Sequence, residues 1–439
     1  MSFPFIKKNF LKDLNLFSFY QLLIFFLPVT FILGNFALNV NIILLSIIFL
    51  FFFKKIKIKV NPRFISIVLI IFLFLLINIL QSRNIKISLS SFFGFLSHFI
   101  LMLSLYYYFL KSPKNIKKFS MALMIVIVFC SFDIIFQFFF RVDIFGYKAM
   151  NDHGARLSGP FGDELVAGAY LSKLLFISLL FFFKDYKKNI IYFLSYIFIV
   201  FFAIFLTQER SALYVTLFSI IIFFIFLNFS IKNKILFFTL LLFIILLTSF
   251  FNKSFKQKYI IDSMQIFGLT KNKEHKLNND ISIQINNFFD SRYGAHFLTA
   301  YNIAKDNLIL GSGIKTFRII CSEDKYSKIN SSYAEQRCNT HPHNLYLEIL
   351  SEEGIVGILF FVTIIFSLIY RHFINSLKGN FISICCISFF LILFFPLQTT
   401  GPFFSSWNGA FYWIAFAVLL YYSKYNILSF KNSMSQGKN

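Results

Sequence analysis

The stretch HPHNLYLEILSEEGIVG, residues 341–357, closes a long polar segment and leads directly into an apolar run. It gathers two imidazoles, an amide and three carboxylates where polar sequence meets apolar sequence. Most of the remaining chain is apolar, so few other positions suit chemistry in water. This junction therefore predicts a membrane protein with a large polar loop and locates its candidate site.

The composition favours a polytopic membrane protein. The chain has 439 residues, of which 58% are hydrophobic and 14% charged, and its mean hydropathy is +0.72. Ordinary soluble domains are about half apolar, so the composition excludes that class. The net charge is +23. The basic residues lie mostly in short links between apolar runs, where they orient the spans, so we expect no nucleic-acid partner.

Twelve apolar stretches are long enough, or nearly so, to cross about 30 Å of hydrocarbon as helices. They are 16–33, 36–53, 64–80, 92–110, 120–140, 164–183, 190–206, 212–228, 235–251, 354–370, 381–398 and 403–423. We therefore predict an all-α fold with about 12 transmembrane helices. Nine spans lie in residues 1–251, a large loop with short surface helices occupies 252–353, and three spans and a tail occupy 354–439.

The basic residues also predict how the spans are oriented. One set of links is rich in Lys and Arg, namely 54–63, 111–118, 184–188, 232–234 and 371–378. The alternating set is poorer in them, namely 34–35, 81–91, 141–163, 207–211 and 399–402. Because basic links favour the cytoplasmic side, we expect both termini in the cytoplasm and the 252–353 loop outside it. No ATP is available there, so a reaction must use an activated substrate.

Few ionisable residues lie inside the predicted spans. Asp133 is in the fifth span, with Gln137 one turn later, and Lys173 is in the sixth. An intramembrane charge indicates a functional site by default. The alternatives are that Lys173 extends to the interface and that Asp133 pairs with an Arg at the outer end of its span. With few such charges and no repeated half, the sequence disfavours a transporter.

Two arginines lie in links predicted to face outward. Arg156 precedes an irregular Gly-Pro turn at 159–160, and Arg210 is the only base in the link 207–211. A guanidinium presents a planar fork that matches phosphate oxygens two at a time. Arg210 is therefore a candidate phosphate ligand, and Arg156 is a candidate supporting residue. The alternative for each is an anchor at the membrane interface.

The large loop is predicted to contain two helices. Asp290 or Ser291 caps the first, which runs to about Asp306 and carries Arg292 in its first turn. The second begins near His343 or Asn344 and ends at Gly354. Packed on the membrane surface, the two helices would cover the outer ends of the spans.

Cysteine usage predicts one disulfide in the large loop. Cys321 and Cys338 flank a polar stretch of the loop, whereas the other three cysteines fall in apolar spans. Two thiols in an oxidising compartment favour a disulfide, and their spacing does not suit a zinc knuckle. The bond would restrain the residues that lead into His341 and His343.

His343 is the candidate catalytic residue. It precedes Asn344 on the predicted outer face, and an imidazole with a pKa near 6.5 accepts a proton from a hydroxyl at neutral pH. His341, Asn344 and Glu348 are candidate supporting residues. The alternative is that His343 is a polar cap at the interface.

Four segments together resemble the O-antigen ligase and polymerase superfamily of bacterial membrane glycosyltransferases. Residues 343–348 and 353–357 resemble its His-Asn-x-x-Leu-Glu and Glu-x-Gly-x-x-Gly signature. Residues 210–212 resemble its Ser-Arg-x-Ala motif, with Glu209 in place of the usual Ser. Arg292 with 307–313 resembles the family's Arg…Pro-Leu-x-Gly-x-Gly segment, although Asn307 and Leu308 stand where the family commonly has His-Pro or Asn-Pro. Residues 156–161 resemble the family's segment before the sixth span.

The resemblance implies a fold similar to type C glycosyltransferases and a site on the periplasmic face of the inner membrane. The implied donor is a polyprenyl-diphosphate-linked glycan, and the implied acceptor is the lipid A core for a ligase or another repeat unit for a polymerase. It implies that Arg210 and Arg292 hold the diphosphate, that His343 serves the acceptor hydroxyl, and that the transfer inverts the anomeric centre without metal or cofactor. A ligase is favoured. Polymerase, ligation to a protein side chain and, from another class, a transporter of lipid-linked oligosaccharides stay open.

Overall fold

A computed structural model describes residues 4–149, 156–182, 186–251, 253–261, 264, 289–423 and 427–429. The predicted loop residues 265–288 and the predicted cytoplasmic ends, 1–3 and 430–439, lie outside the described residues.

The described chain is mostly helical, and a helix overlaps each of the twelve predicted stretches. The α-helices are α1 (Pro4–Ile32), α2 (Asn35–Ile56), α3 (Pro62–Leu80), α4 (Ile85–Lys111), α5 (Pro113–Phe140), α6 (Ala167–Ser178), α7 (Ile190–Leu206), α8 (Arg210–Phe226), α9 (Ile231–Phe251), α10 (Lys253–Phe255), α11 (Arg292–Asp306), α12 (Phe317–Ile320), α13 (Leu345–Leu377), α14 (Phe381–Phe394) and α15 (Ser406–Tyr422). The strands are β1 (Lys59–Val60) and β2 (Leu428–Ser429).

Length and apolar composition distinguish two classes of helix. Within the described ranges, 7 helices are long and apolar enough to cross a membrane: α1 to α5, α9 and α13. α6 to α8 and α14 are apolar but have at most 17 residues, α6 being counted with the 3₁₀ turn that follows it. The structure therefore supports a helical membrane protein, and the count of twelve spans stays a prediction.

Side-chain caps begin the helices that matter for the site, as the sequence predicts. The Ser291 side chain accepts a hydrogen bond from Gly294 N at the start of α11. The Asn344 side chain accepts from Tyr346 N and Leu347 N at the start of α13. Such caps satisfy backbone N–H groups that have no partner within the helix.

Two of the basic links, 54–63 and 371–378, contact the C-terminal part of the chain at one end of the helices. β1 pairs antiparallel with β2, so Lys59 lies opposite Ser429, and Asn61 N donates to Ile427 O at 2.9 Å. The Arg371 guanidinium donates to Ser423 O, which joins the end of α13 to the end of α15. These contacts lie among segments that the sequence assigns to the cytoplasmic side.

The links that are poor in basic residues meet at the opposite end. Arg83 N donates to Ser312 O at 3.0 Å, Ser211 Oγ donates to Thr399 O at 3.4 Å, and Trp407 Nε1 donates to Phe31 O at 3.2 Å. We call this the outer end, and residues 289–344, which cover part of it, the cap. Which side of the membrane the outer end faces stays a prediction.

The cap docks onto a break in α13 at Gly354. There φ is 71° and ψ is −167°, so helical geometry is interrupted where the sequence predicts the second loop helix to end. The freed N–H of Ile355 donates to Leu308 O at 2.8 Å, and Gly313 N donates to Glu352 O at 2.9 Å. A Cβ on Gly354 would lie 2.4 Å from Ile309 O, so this close approach of two backbones requires glycine.

Asn78 of α3 forms hydrogen bonds to both the cap and α13 at this break. Its side-chain amide donates to Leu310 O at 2.6 Å and to Glu352 O at 2.8 Å, and its oxygen accepts from Ile314 N at 3.2 Å. One buried amide thus links a span, the cap and the break in α13.

The two intramembrane charges make local contacts. Asp133 Oδ1 accepts from Ile144 N at 2.8 Å, so within the described residues the alternative pairing with an Arg is wrong. Gln137 accepts from Gly159 N at 2.9 Å, so both side chains brace the link before α6. Lys173 Nζ donates to Asn408 Oδ1 at 2.7 Å and lies over the Trp407 ring, which contradicts extension to the interface.

Candidate active site

His343 lies at the junction of the cap and α13, inside a cluster of rings. Its backbone has φ 60°, which turns the chain into the helix that Asn344 caps. The His341 ring centroid is 4.2 Å away and that of His296 is 5.3 Å away. Asn339 Nδ2 lies 2.9 Å from His343 Nε2, so the amide donates to that nitrogen when the ring proton is on Nδ1.

Both histidines of the sequence motif are neutral at physiological pH. Burial, followed by the charges of His341, His296 and Arg292, lowers the pKa of His343 to about 3. Burial lowers the pKa of His341 to about 4. The pKa of each ring therefore lies below the unperturbed value near 6.5, because desolvation and neighbouring charges both oppose the imidazolium.

The link between α14 and α15, residues 395–405, makes hydrogen-bond contacts with the candidate supporting residues His341, Asn344 and Glu348. His341 Nε2 lies 2.9 Å from Thr400 O, and Thr400 N donates to His343 O at 2.9 Å. Asn344 Nδ2 donates to Pro396 O at 2.7 Å, and Glu348 Oε1 accepts from Phe403 N at 3.0 Å. The link therefore holds the whole start of α13.

Cys321 and Cys338 are joined by a disulfide, with Cα atoms 5.3 Å apart. Arg337 stabilises the same turn, since its Nε donates to Cys321 O at 2.9 Å. Its own carbonyl lies 2.9 Å from His296 Nδ1. The disulfide thus ties the end of α12 to the segment before Asn339, and the contact between Arg337 O and His296 ties that segment to α11.

Arg292 lies exposed in the first turn of α11, beside the histidine cluster. Its positive charge contributes to the lowered pKa of both His296 and His343. The sequence interpretation missed His296, which lies one turn along α11 from Arg292. The four-residue spacing on a predicted helix was the available signal, because it places both side chains on one face.

A second cluster contains Arg156, Glu209 and Arg210. Arg156 Nε and Arg210 Nη1 are buried and have no hydrogen-bond partner among the described residues. Both arginines act electrostatically on the buried Tyr259 phenol, whose pKa is raised by burial and by Glu209 and lowered by the two guanidinium charges. This cluster therefore combines cationic donors with the carboxyl group of Glu209.

Glu209 connects this cluster to α6, which the sequence did not reveal. Its Oε1 accepts from Gly168 N at 2.7 Å and its Oε2 from Ala169 N at 3.1 Å. Burial raises the pKa of Glu209 to about 7, and those hydrogen bonds and the charges of Arg156 and Lys173 oppose the rise. A glutamate where the resembling family usually has serine thus caps the start of a neighbouring helix.

The structure brings the two clusters to the same end of the molecule without joining them directly. Across the described ranges, no hydrogen bond links Arg210 or Arg292 to His343. The two clusters are connected through the link between α14 and α15. Ser211, next to Arg210, donates to Thr399 O, and Thr400 N donates to His343 O. No group of three or more His, Cys, Asp or Glu that could hold a metal ion occurs in the described part of the chain.

Residues 195–362 match the sequence profile of the family described as O-Antigen ligase. The match confirms the resemblance to the O-antigen ligase superfamily over that segment and supports a membrane glycosyltransferase of the ligase and polymerase type. The matched segment contains Arg210, Arg292 and His343, and Arg156 lies before it. No curated protein matches the chain significantly.

Proposed function

We propose that this chain is a ligase-like enzyme of the O-antigen ligase superfamily at the periplasmic face of the bacterial inner membrane. It moves a glycan from polyprenyl diphosphate onto a hydroxyl of the lipid A core. The observation that carries the proposal is the pair of buried guanidinium nitrogens, Arg156 Nε and Arg210 Nη1, without partners among the described residues. Buried cationic donors of this kind favour an anion with several oxygens, such as a diphosphate.

The division of roles follows from the two clusters. Arg210 and Arg292, with Arg156 in support, bind the donor diphosphate and stabilise the charge that develops as it leaves. The acceptor oxygen attacks the anomeric carbon, and the bond from that carbon to the diphosphate oxygen breaks. The leaving group keeps the bonding electrons, the hydroxyl proton passes to His343, and attack from the opposite face inverts the anomeric centre. The proposed mechanism uses no metal ion or cofactor.

The lowered pKa of His343 is compatible with this role once the donor is bound. A diphosphate on Arg292 would offset the positive charge that disfavours the imidazolium. It would also add negative charge next to the ring, which raises the pKa of His343 toward its ordinary range. Donor binding would thereby prepare His343 to receive the acceptor proton.

The test separates donor binding from transfer, using the purified full chain in detergent and a synthetic polyprenyl-diphosphate glycan. Arg210→Ala and Arg292→Ala should weaken donor binding, and Lys should rescue poorly because the fork is lost. His343→Ala should leave donor binding nearly intact while transfer falls about 100-fold. Lys305→Ala, an exposed position on the same helix as Arg292, is the matched control and should change neither.

Two outcomes would overturn the assignment of roles. Full transfer by folded His343→Ala would remove this residue from the chemistry, and unchanged donor binding in both arginine variants would remove the diphosphate site. The acceptor is tested by offering either lipid A core or a lipid-linked repeat unit. Transfer to the repeat unit alone would make the enzyme a polymerase.

A further inference from the structure

Two cavities adjoin on the side of the molecule formed by α3, α4, α13 and α15, and neither is lined by Arg156 or Arg210. The upper cavity, of about 200 Å³, is lined by polar side chains, among them Ser90, Ser91, Ser405 and Lys315. The lower cavity, of about 190 Å³, is almost wholly apolar. They share the walls Phe95, Phe403, Phe404 and Trp413. The two cavities are therefore adjacent, and the polar one lies toward the cap, to which Lys315 belongs.

The lower cavity has the length and chemistry of a lipid-chain site. Its lining includes Phe64 near the start of α3, Leu368 of α13 and Leu420 near the end of α15. From Glu353 to Leu368, α13 rises about 22 Å at 1.5 Å per residue. The cavity therefore runs along most of the apolar thickness of the bundle.

One polar side chain interrupts this apolar lining near its upper end. Glu353 is 3% exposed, and neither of its carboxyl oxygens has a hydrogen-bond partner among the residues that the structure describes. Its neighbours differ: Glu352 accepts from Lys315 N at 2.7 Å and Phe317 N at 3.1 Å. A buried carboxyl group without a partner is unfavourable, so a ligand in this cavity gains by presenting a hydroxyl or amide donor there.

Lys315 supplies the positive charge in the upper cavity. It is half-buried at φ 60°, and its Nζ has no hydrogen-bond or ion-pair partner in the described ranges. Arg318 of the cap and the carboxylates Glu348 and Glu352 are the charged groups that influence it. With serine hydroxyls around it, this ammonium suits an anionic substituent such as a phosphate.

The apolar lining, the Glu353 carboxyl group and the Lys315 ammonium together favour a lipid that has both an anionic group and hydrogen-bond donors on its chains. A polyprenyl chain carries no hydrogen-bond donor for Glu353, and the candidate diphosphate ligands Arg156, Arg210 and Arg292 do not line either cavity. We propose that the two cavities bind the lipid part of the acceptor, a phosphorylated glycolipid whose acyl chains carry hydroxyl or amide donors. Its phosphate contacts Lys315, and an acyl hydroxyl or amide contacts Glu353. The inference rests on the proposed function and assigns the acceptor a site of its own.

The position of the α14–α15 link connects this lipid site to the chemistry. Phe403, which lines both cavities, donates its N–H to Glu348, and Thr400, three residues earlier, donates to His343 O. A lipid anchored in the cavities would therefore present its sugar end next to His343. The donor diphosphate would approach from the side of Arg210.

The test measures binding of lipid A, a hydroxyacylated diphosphorylated disaccharide, to the full chain in nanodiscs of phosphatidylcholine. Lys315→Gln should weaken binding about tenfold, the usual scale for loss of one charged partner. It should not affect lipid A from which the phosphates were removed. Ile71→Trp should fill part of the lower cavity and weaken both, while Lys305→Gln, an exposed control, should change neither. Polyprenyl-diphosphate donor binding should stay at the wild-type level throughout.

Two results in these binding measurements would contradict the proposed lipid site. Lipid A affinity unchanged in both Lys315→Gln and Ile71→Trp would overturn it, as would equal loss of donor binding. Phosphatidylglycerol, which has an anionic head but no hydrogen-bond donor on its chains, should bind weakly. If phosphatidylglycerol binds as tightly as lipid A, and Glu353→Leu weakens the binding of both lipids equally, the proposed role of Glu353 is wrong. If transfer to the lipid A core proceeds but these variants do not affect binding, the inference fails and the function stands. If the lipid A core binds at these residues but receives no glycan, the function fails.

Discussion

Glu209 accepts a 2.7 Å hydrogen bond from Gly168 N and thereby fixes the start of α6 against the turn that precedes α8. The approach is so close that a Cβ on Gly168 would lie 2.5 Å from Thr207 Oγ1 and 3.1 Å from Glu209 Oε1. A carboxylate at a helix start satisfies free N–H groups and interacts favourably with the helix dipole. The residue next to the candidate diphosphate ligand Arg210 therefore also has a structural role.

Gly168→Ala should destabilise the protein by about 1–3 kcal/mol, because the added methyl group has no room beside Thr207 and Glu209. Thermal unfolding in detergent measures the effect. Gly94→Ala is the matched control: it lies in helix α4, and its Cβ would meet nothing within 4 Å. Helix propensity makes that control neutral or slightly stabilising. Equal melting temperatures for both variants would contradict the steric argument.

The protonation of Glu209 should make stability depend on pH near neutrality. Its pKa is raised to about 7 from 4.5, so the folded state binds more protons than the unfolded state between these values. This stabilising contribution is complete below about pH 4.5 and is lost as pH rises through 7. Between pH 5.5 and 8 the melting temperature of the wild type should therefore fall more than that of Glu209→Gln. Parallel curves for the two proteins would contradict the raised pKa.

The titration of His341 should make the protein less stable as pH falls, the opposite of the effect of Glu209. Its pKa is lowered to about 4 from 6.5, so the unfolded state binds the extra proton in that window. The contribution of the neutral ring is complete above 6.5 and is lost as pH falls through 6.5 toward 4. At pH 5 the cost is about 2 kcal/mol relative to pH 8. His341→Gln should reduce this acid destabilisation in unfolding curves, and an unchanged acid slope would refute the buried neutral imidazole.

The disulfide between Cys321 and Cys338 should be present in native membranes. Alkylation without reductant, analysed by mass spectrometry after denaturation, should label Cys130, Cys385 and Cys386 only. The double substitution Cys321→Ser and Cys338→Ser should cost about 3 kcal/mol by the chain-entropy estimate. Transfer activity should fall as well, because Asn339 contacts His343 one residue after the bond. Free labelling of both thiols in native membranes would show that the bond is absent.

The orientation of the chain is tested by reporter fusions. Fusions at Lys234 and Lys378 should give cytoplasmic signals, and a fusion at Asp280 should give an extracytoplasmic signal, because basic residues alternate through the short links. The grouping of these links at opposite ends of the helices supports the same order. A cytoplasmic signal at Asp280 would place the candidate site on the wrong side for a lipid-linked periplasmic donor.

Local features of the fold were predictable from sequence because they depend on neighbouring residues. The Ser291 and Asn344 caps, and the break at Gly354, follow from side-chain oxygens and glycine at helix ends. The apolar lengths predicted where helices occur, since a membrane requires every backbone polar group to be paired internally. The motif order from Arg210 to Glu353 was sufficient to predict the superfamily that the profile match confirms.

The tertiary structure decided how distant residues combine. The carboxyl group of Glu209 reaches a helix start 40 residues away, and Asn78 contacts Glu352 across 274 residues. Neither contact has a periodic signal, because each depends on how spans pack rather than on local propensity. The same is true of the pKa of His343, which is set by burial and by the charges of His341, His296 and Arg292. The sequence by itself therefore determined the helices, their caps and the resemblance to the family. Only packing decided which polar groups are satisfied and which, like Arg210 Nη1 and the Glu353 carboxyl oxygens, have no hydrogen-bond partner among the described residues.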